Sequence, residues 1–209
     1  MKSRSYLALL TVFFALFLIS CQKEIDYSTS NSGGSGGGTT MQKPKVGTIW
    51  NYYYYIYHQS GGVYIAKSIS YKAKSKETFG GEDWLKIVDL STDTLVYYLN
   101  EKSTGLYQYT NNSSNLFLKF PALVNDAYTT YNEGAPEDFI VKSVNDTLPT
   151  GVGNVPTNNY EGRKGGQLID IIWYNEYAWI VRKTQYRNQS IVTPSFYKYS
   201  SLFIDSIVY

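Results

Sequence analysis

From about residue 45 to the C-terminus, apolar and polar positions alternate in short runs, and no stretch holds the three-to-four-residue spacing of an amphipathic helix. The runs are rich in Tyr, Val, Ile and Thr. Gly, Asn, Asp, Ser and Pro separate them, and these are the residues that turns accept and strands exclude. The pattern predicts strands over 48–58, 63–75, 83–90, 94–101, 105–110, 116–120, 138–145, 159–164, 167–175, 179–186 and 196–208. Ser60-Gly61-Gly62, Ser91-Thr92-Asp93 and Ser103-Thr104-Gly105 are short enough to join antiparallel neighbours as hairpins. With no helix to cover it, a sheet of this size must bury one face against itself. The expectation is an all-β domain, an antiparallel meander forming a strongly curved sheet or a partly open β-barrel.

The first run, "GTIWNYYYYIYH", holds more rings than one buried face accommodates. Strand alternation puts Trp50, Tyr52, Tyr54 and Ile56 on one side and Asn51, Tyr53, Tyr55 and Tyr57 on the other. Trp50 and Ile56 mark the first set as inward. Tyr53, Tyr55 and Tyr57 then form a row on the opposite face, for which tyrosine is suited because its ring packs on a sheet while its hydroxyl stays hydrated. Two readings stay open: cross-strand packing, or a ligand-binding platform for the apolar faces of sugars or an aromatic compound.

The segment before residue 45 follows a different pattern. Lys2 and Arg4 precede an apolar run over 6–19, and the small Ser20 stands before Cys21. That is the layout of an export signal, charged at one end and apolar in the middle. The expected organisation is a signal peptide over 1–20, a modified cysteine with a Gly/Ser-rich tether over 21–44, and one β-domain over 45–209. The tether cannot bury enough apolar area to fold. Leu18-Ile19-Ser20-Cys21 resembles the bacterial lipobox, which implies that Cys21 is lipidated and that the protein meets the membrane through that lipid. Cys21 is the single cysteine, so its acylation would leave no thiol for disulfide, nucleophile or metal. Lys23-Glu24-Ile25-Asp26 resembles the lysine-plus-acidic export signal of Bacteroidota lipoproteins, which implies an outer-membrane location with surface display favoured over a periplasm-facing one.

Processing also alters the charge balance. Loss of Lys2 and Arg4 takes the basic residues from 19 to 17 against 17 acidic ones, so the sequence pI of 8.4 overstates the basicity of the mature chain. With no Lys/Arg run, nucleic acid is not expected as a partner.

Conventional catalytic and metal-binding patterns are scarce. His58 is the single histidine, at a strand end beside Gln59-Ser60, and reads as a solvated turn residue. Asp89-Leu-Ser-Thr-Asp-Thr-Leu has alternating oxygen side chains but neither the central glycine nor the terminal glutamate of a calcium loop, and reads as a hairpin turn. Gly151-Val-Gly-Asn-Val-Pro does not open a helix, as a phosphate loop must, and reads as a loop. No metal and no cofactor is expected. An enzyme would have to work with carboxylates, for which Glu82, Asp83, Glu133, Glu137, Asp138, Asp170 and Glu176 are available. Asp138 and Asp170 stand out because they interrupt apolar strands.

"VPTNNYEGRK" followed by "IIWYNEYAWIVRKTQY" resembles the second half of small Bacteroidota lipoproteins of unknown function, which implies a lipocalin-like or lipoprotein-localisation-factor-like half barrel. Asp93-Thr94-Leu95, Asp146-Thr147-Leu148 and Asp205-Ser206-Ile207 resemble O-glycosylation sites of exported Bacteroidota proteins. The expectation is a lipid-anchored cell-envelope protein with a non-catalytic binding or scaffolding domain that takes a glycan, an apolar small ligand or an envelope protein. The alternatives are a purely structural lipoprotein and a carboxylate-dependent glycoside hydrolase.

Overall fold

The computed structural model describes residues 41–132, 134–188 and 196–209. Cys21, the Lys23–Asp26 segment and Glu133 lie outside the described residues. Twelve strands follow one another: β1 (Ile49–Tyr57), β2 (Val63–Phe79), β3 (Glu82–Asp89), β4 (Leu95–Lys102), β5 (Gly105–Thr110), β6 (Ser113–Lys119), β7 (Ala127–Asn132), β8 (Ala135–Thr150), β9 (Gly153–Lys164), β10 (Gln167–Asn175), β11 (Trp179–Asn188) and β12 (Phe196–Val208). Every strand pairs antiparallel with its neighbour in sequence, save at one place, and β1 pairs with β12. The sheet order therefore runs β6-β5-β4-β3-β2-β1-β12-β11-β10-β9-β8-β7. The result is an all-β, nearly closed barrel whose two edge strands, β6 and β7, are consecutive in the chain.

Side chains close that last gap. The Tyr128 hydroxyl on β7 accepts the backbone N–H of Lys119 at 3.2 Å and donates to the carbonyl of Phe117 at 3.1 Å, both on β6. Tyr160 donates to the Lys119 carbonyl at 2.6 Å, and Lys119 pairs with Asp126 at 2.8 Å. Stacking of Tyr128 on Phe139, with ring centres 5.8 Å apart, holds the bridging ring in place. Edge groups of β6 are thus satisfied without a backbone ladder.

The strand pattern reads well, with two corrections. No strand was expected over 127–132, where β7 forms: "AYTTYN" carries only two rings among polar residues, and its strand character comes from pairing with β8. Gly151-Val-Gly-Asn-Val-Pro is not a loop beyond Val152, because Gly153–Pro156 opens β9 opposite Thr147–Thr150. Asp89 behaves as expected of a turn residue. Its Oδ1 accepts the backbone N–H groups of Ser91 at 2.8 Å and Thr92 at 3.1 Å.

Alternation sorts the barrel into an inside and an outside. Trp50, Tyr52, Leu85, Ile87, Leu99, Phe139, Val141, Ile172, Tyr174, Leu202 and Ile204 belong to one buried cluster. Outside, Trp84 is nevertheless fully buried, under Tyr109 at 5.3 Å and the Lys102 ammonium at 5.4 Å. Aromatic residues therefore serve both faces of this sheet.

Candidate functional site

A barrel of twelve strands is wider than the eight-strand size that side chains fill completely. Here the interior is filled partly by large rings and partly by a polar network, and a cavity of about 300 Å³ remains. Trp50, at the start of β1, and Trp179, at the start of β11, line it, stacked with ring centres 5.3 Å apart and an interplanar angle of 20°. Leu99, Ile180, Ile87, Ile69 and Leu202 complete the apolar wall. Towards the β1–β2 and β3–β4 turns the lining becomes polar, with Tyr54, Lys67, Asp89, Tyr97, Lys183, Gln185 and Ser200. Lys183, Leu202, Tyr54 and Lys67 form one cross-strand row over β11, β12, β1 and β2, in which Lys67 is exposed and Lys183 is buried against Asp170.

The tryptophans are held by local devices. Asn175 Oδ1 accepts the N–H groups of Tyr177 at 2.8 Å and Ala178 at 3.0 Å, which forms the tight turn before β11. Trp179 then takes φ of 59°, a left-handed conformation that bulky residues avoid and that surrounding structure must impose. Tyr52 donates to the carbonyl of Ile180 at 2.9 Å and ties β1 to β11 across the interior. Trp50 and Trp179 are 2% and 5% exposed, and both indole N–H groups lack an acceptor among the described residues. Two buried donors without acceptors beside a cavity form an unusual floor, since such groups are nearly always satisfied.

The second interior feature is a chain of charge. Lys183 Nζ lies 3.4 Å from Asp170, whose Oδ2 takes a hydrogen bond from Asn132 Nδ2 at 3.3 Å. Asn132 Nδ2 also donates to Glu137 Oε2 at 2.8 Å, and Lys164 stands 3.8 Å from the same oxygen. Glu137 and Asp170 are 1% and 0% exposed. Burial first, then the Asp170 charge, push the Glu137 carboxyl up to about 7. Gly162 is required beside it, because a methyl group there would overlap Glu137 Oε1 and come within 2.9 Å of Phe139 Cζ.

The carboxylates expected to matter separate cleanly. Asp170 is inside, but Asp138 is on the outer surface, bonded to Thr129 at 2.6 Å; the inward acid is its neighbour Glu137. The sequence held the signal for this, since Glu137 is in phase with the buried Phe139 and Val141. Glu82 pairs with Lys102, Glu176 with Lys43, and Asp83 accepts from Thr78, all at the surface. Glu137 and Asp170 do converge, but neither lines the cavity.

Tyr53, Tyr55 and Tyr57 lie outside the barrel, as the alternation required, and the cavity is lined by the other set. Tyr53 is 47% exposed, and Tyr55 packs against Tyr57 and Phe203 with ring centres 6.5 and 5.8 Å away. His58 is exposed beside Tyr64. Trp179 was legible only as the start of a strand, because nothing local says that a residue after a turn will stack on Trp50.

Fold and site together define a nearly closed antiparallel meander barrel with an interior cavity. No protein-family model, curated protein or solved structure matches the chain.

Proposed function

We propose that this is a non-catalytic binding protein of the cell envelope, lipid-anchored through Cys21 in the outer membrane and displayed outward, whose barrel cavity takes a small amphipathic ligand. The reading rests on the cavity: an apolar wall, a stacked Trp50–Trp179 pair whose two N–H donors have no acceptor among the described residues, and the exposed ammonium of Lys67 in the polar part of the lining. An apolar body with an acidic head matches that lining, since the body removes apolar area from water and the head meets the Lys67 ammonium. At about 300 Å³ the cavity admits a medium-length chain or a small ring system and excludes a polymer.

Indole fluorescence tests the proposal directly. Decanoate should change the emission of the protein saturably, with decanol weaker by about tenfold for want of the acidic head. Trp179→Phe should abolish most of the signal change, and Lys67→Gln should narrow the gap between acid and alcohol. Linear, unsaturable responses to both compounds would reject an interior site and leave the scaffolding alternative.

A further inference from the structure

The outer face of β10, β11, β12 and β1 carries a separate arrangement. Trp173, Arg182, Phe203 and Tyr53 are cross-strand partners in one row. The Arg182 guanidinium lies 4.6 Å from the Trp173 ring centre and 4.5 Å from that of Phe203. The next row holds Thr184, Ser201 and Tyr55, and beyond it Lys198 Nζ stands 4.3 Å over the Tyr57 ring. Among the described residues neither Arg182 nor Lys198 has a carboxylate in ion-pair distance, and Arg182 Nε is buried with no acceptor.

The same molecule supplies a comparison. On the outer face of β2 to β5, Lys86 lies 5.9 Å from the Tyr98 ring and Lys102 4.5 Å from the Tyr107 ring. Each has its own acid, Glu77 at 2.8 Å and Glu82 at 2.7 Å. Among the described residues, one aromatic–cation cluster thus has its own acids and the other has none in ion-pair distance.

A guanidinium between two rings is shielded from water on both faces, and the planar pair of Nη groups is the part that matches a planar anion. Rings two residues apart along a strand repeat at about 6.6 Å, and the Tyr55 and Tyr57 centres are 6.5 Å apart. Such a row offers successive stacking faces, with phenol hydroxyls for polar partners. We propose that this face binds a carboxylated polysaccharide: sugar rings lie along Tyr53, Tyr55 and Tyr57, and a carboxylate takes the N–H edge of Arg182, with Lys198 adding the second positive charge. Val63, 54% exposed opposite Tyr57, adds aliphatic surface at one end of the row, but the hydroxyls of Tyr53, Tyr55 and Tyr57 favour a polysaccharide over a membrane surface. The site is on the other side of the sheet from the cavity and does not depend on it.

Affinity electrophoresis of the full chain in detergent, through gels holding polygalacturonate or its methyl ester, tests the assignment. The acid polymer should retard the protein, and the neutral ester about tenfold less. Arg182→Gln should weaken retardation by about tenfold and Tyr55→Ala by at least about threefold, while the decanoate response of Arg182→Gln stays that of the parent. Lys198→Gln, which removes the half-buried ammonium over the Tyr57 ring and leaves Arg182 between its two rings, serves as the second variant where Arg182→Gln unfolds early in urea, and should lose about threefold. Equal retardation by acid and ester, no retardation of the parent, or unchanged retardation of Lys198→Gln and Tyr55→Ala would overturn the proposal. Binding to phosphatidylglycerol vesicles without retardation by polygalacturonate would assign the face to a membrane and overturn it too.

Discussion

Burial, and then the neighbouring charge of Asp170, hold the Glu137 carboxyl at about 7, against the hydrogen bond from Asn132 and the attraction of Lys164 and Lys183. An ordinary glutamate titrates near 4.5. Between those values the folded state keeps a proton that the unfolded chain has released. Stability therefore falls as pH rises through this window, and the loss is complete above the folded value. The loss is on the order of 3 kcal/mol at about 1.4 kcal/mol per unit. Glu137→Gln keeps the shape of the protonated group and cannot ionise. Urea unfolding at pH 4.5 and at pH 8 should show the parent losing up to about 3 kcal/mol more than the variant between the two. Carboxylates held low by their partners, such as Asp89 and Asp126, act in the opposite direction but are common to both proteins. Equal pH dependence in parent and variant would show that Glu137 is not the group responsible.

Strands β6 and β7 are the elements that decide whether the sheet is a barrel. Both have one edge without a ladder, and the Tyr128 hydroxyl substitutes for one by accepting from Lys119 and donating to Phe117. Tyr128→Phe keeps the ring stacked on Phe139 and removes only the bridge. The loss should be about 1–3 kcal/mol, the range for leaving buried polar groups unpaired. Amide exchange should separate this from a general loss of packing: protection should fall first at Lys119 and its neighbours on β6, with β1 and β12 unchanged. Uniform loosening of all strands would mean that the seam is held by ring packing alone. The pairing of β1 with β12 belongs to the same scale, since it joins the first and last strands and converts a linear meander into a curved sheet with its gap in mid-chain.

For the molecule as a whole, the proposed anchor and the two proposed sites are separable. Cys21→Ala should abolish incorporation of labelled fatty acid while leaving the β-domain folded, and labelling that persists in this variant would remove the lipoprotein reading. In intact cells, external protease should release the domain by cutting within 28–40, a Gly/Ser-rich stretch. Protection until lysis would place the domain on the periplasmic side.

The sequence by itself determined the class of fold. Alternation is a local property, set by the pleat, so it gave all strands but β7; of the expected inward set on β1, Trp50, Tyr52 and Tyr54 line the cavity while Ile56 does not. The outward place of Tyr53, Tyr55 and Tyr57 followed from the same rule. Asp138 was singled out where Glu137 faces inward, although in-phase Phe139 and Val141 made that reading available. What only the tertiary structure decided are the relations between strands distant in the chain. The stack of Trp50 on Trp179, the convergence of Glu137 with Asp170 through Asn132, and the insertion of Arg182 between Trp173 and Phe203 all depend on register. Register is fixed when many strands settle against one another in a closed surface, and a shift of one residue would turn each of these side chains to the other face. No local run of residues carries that information, because it is a property of the whole barrel.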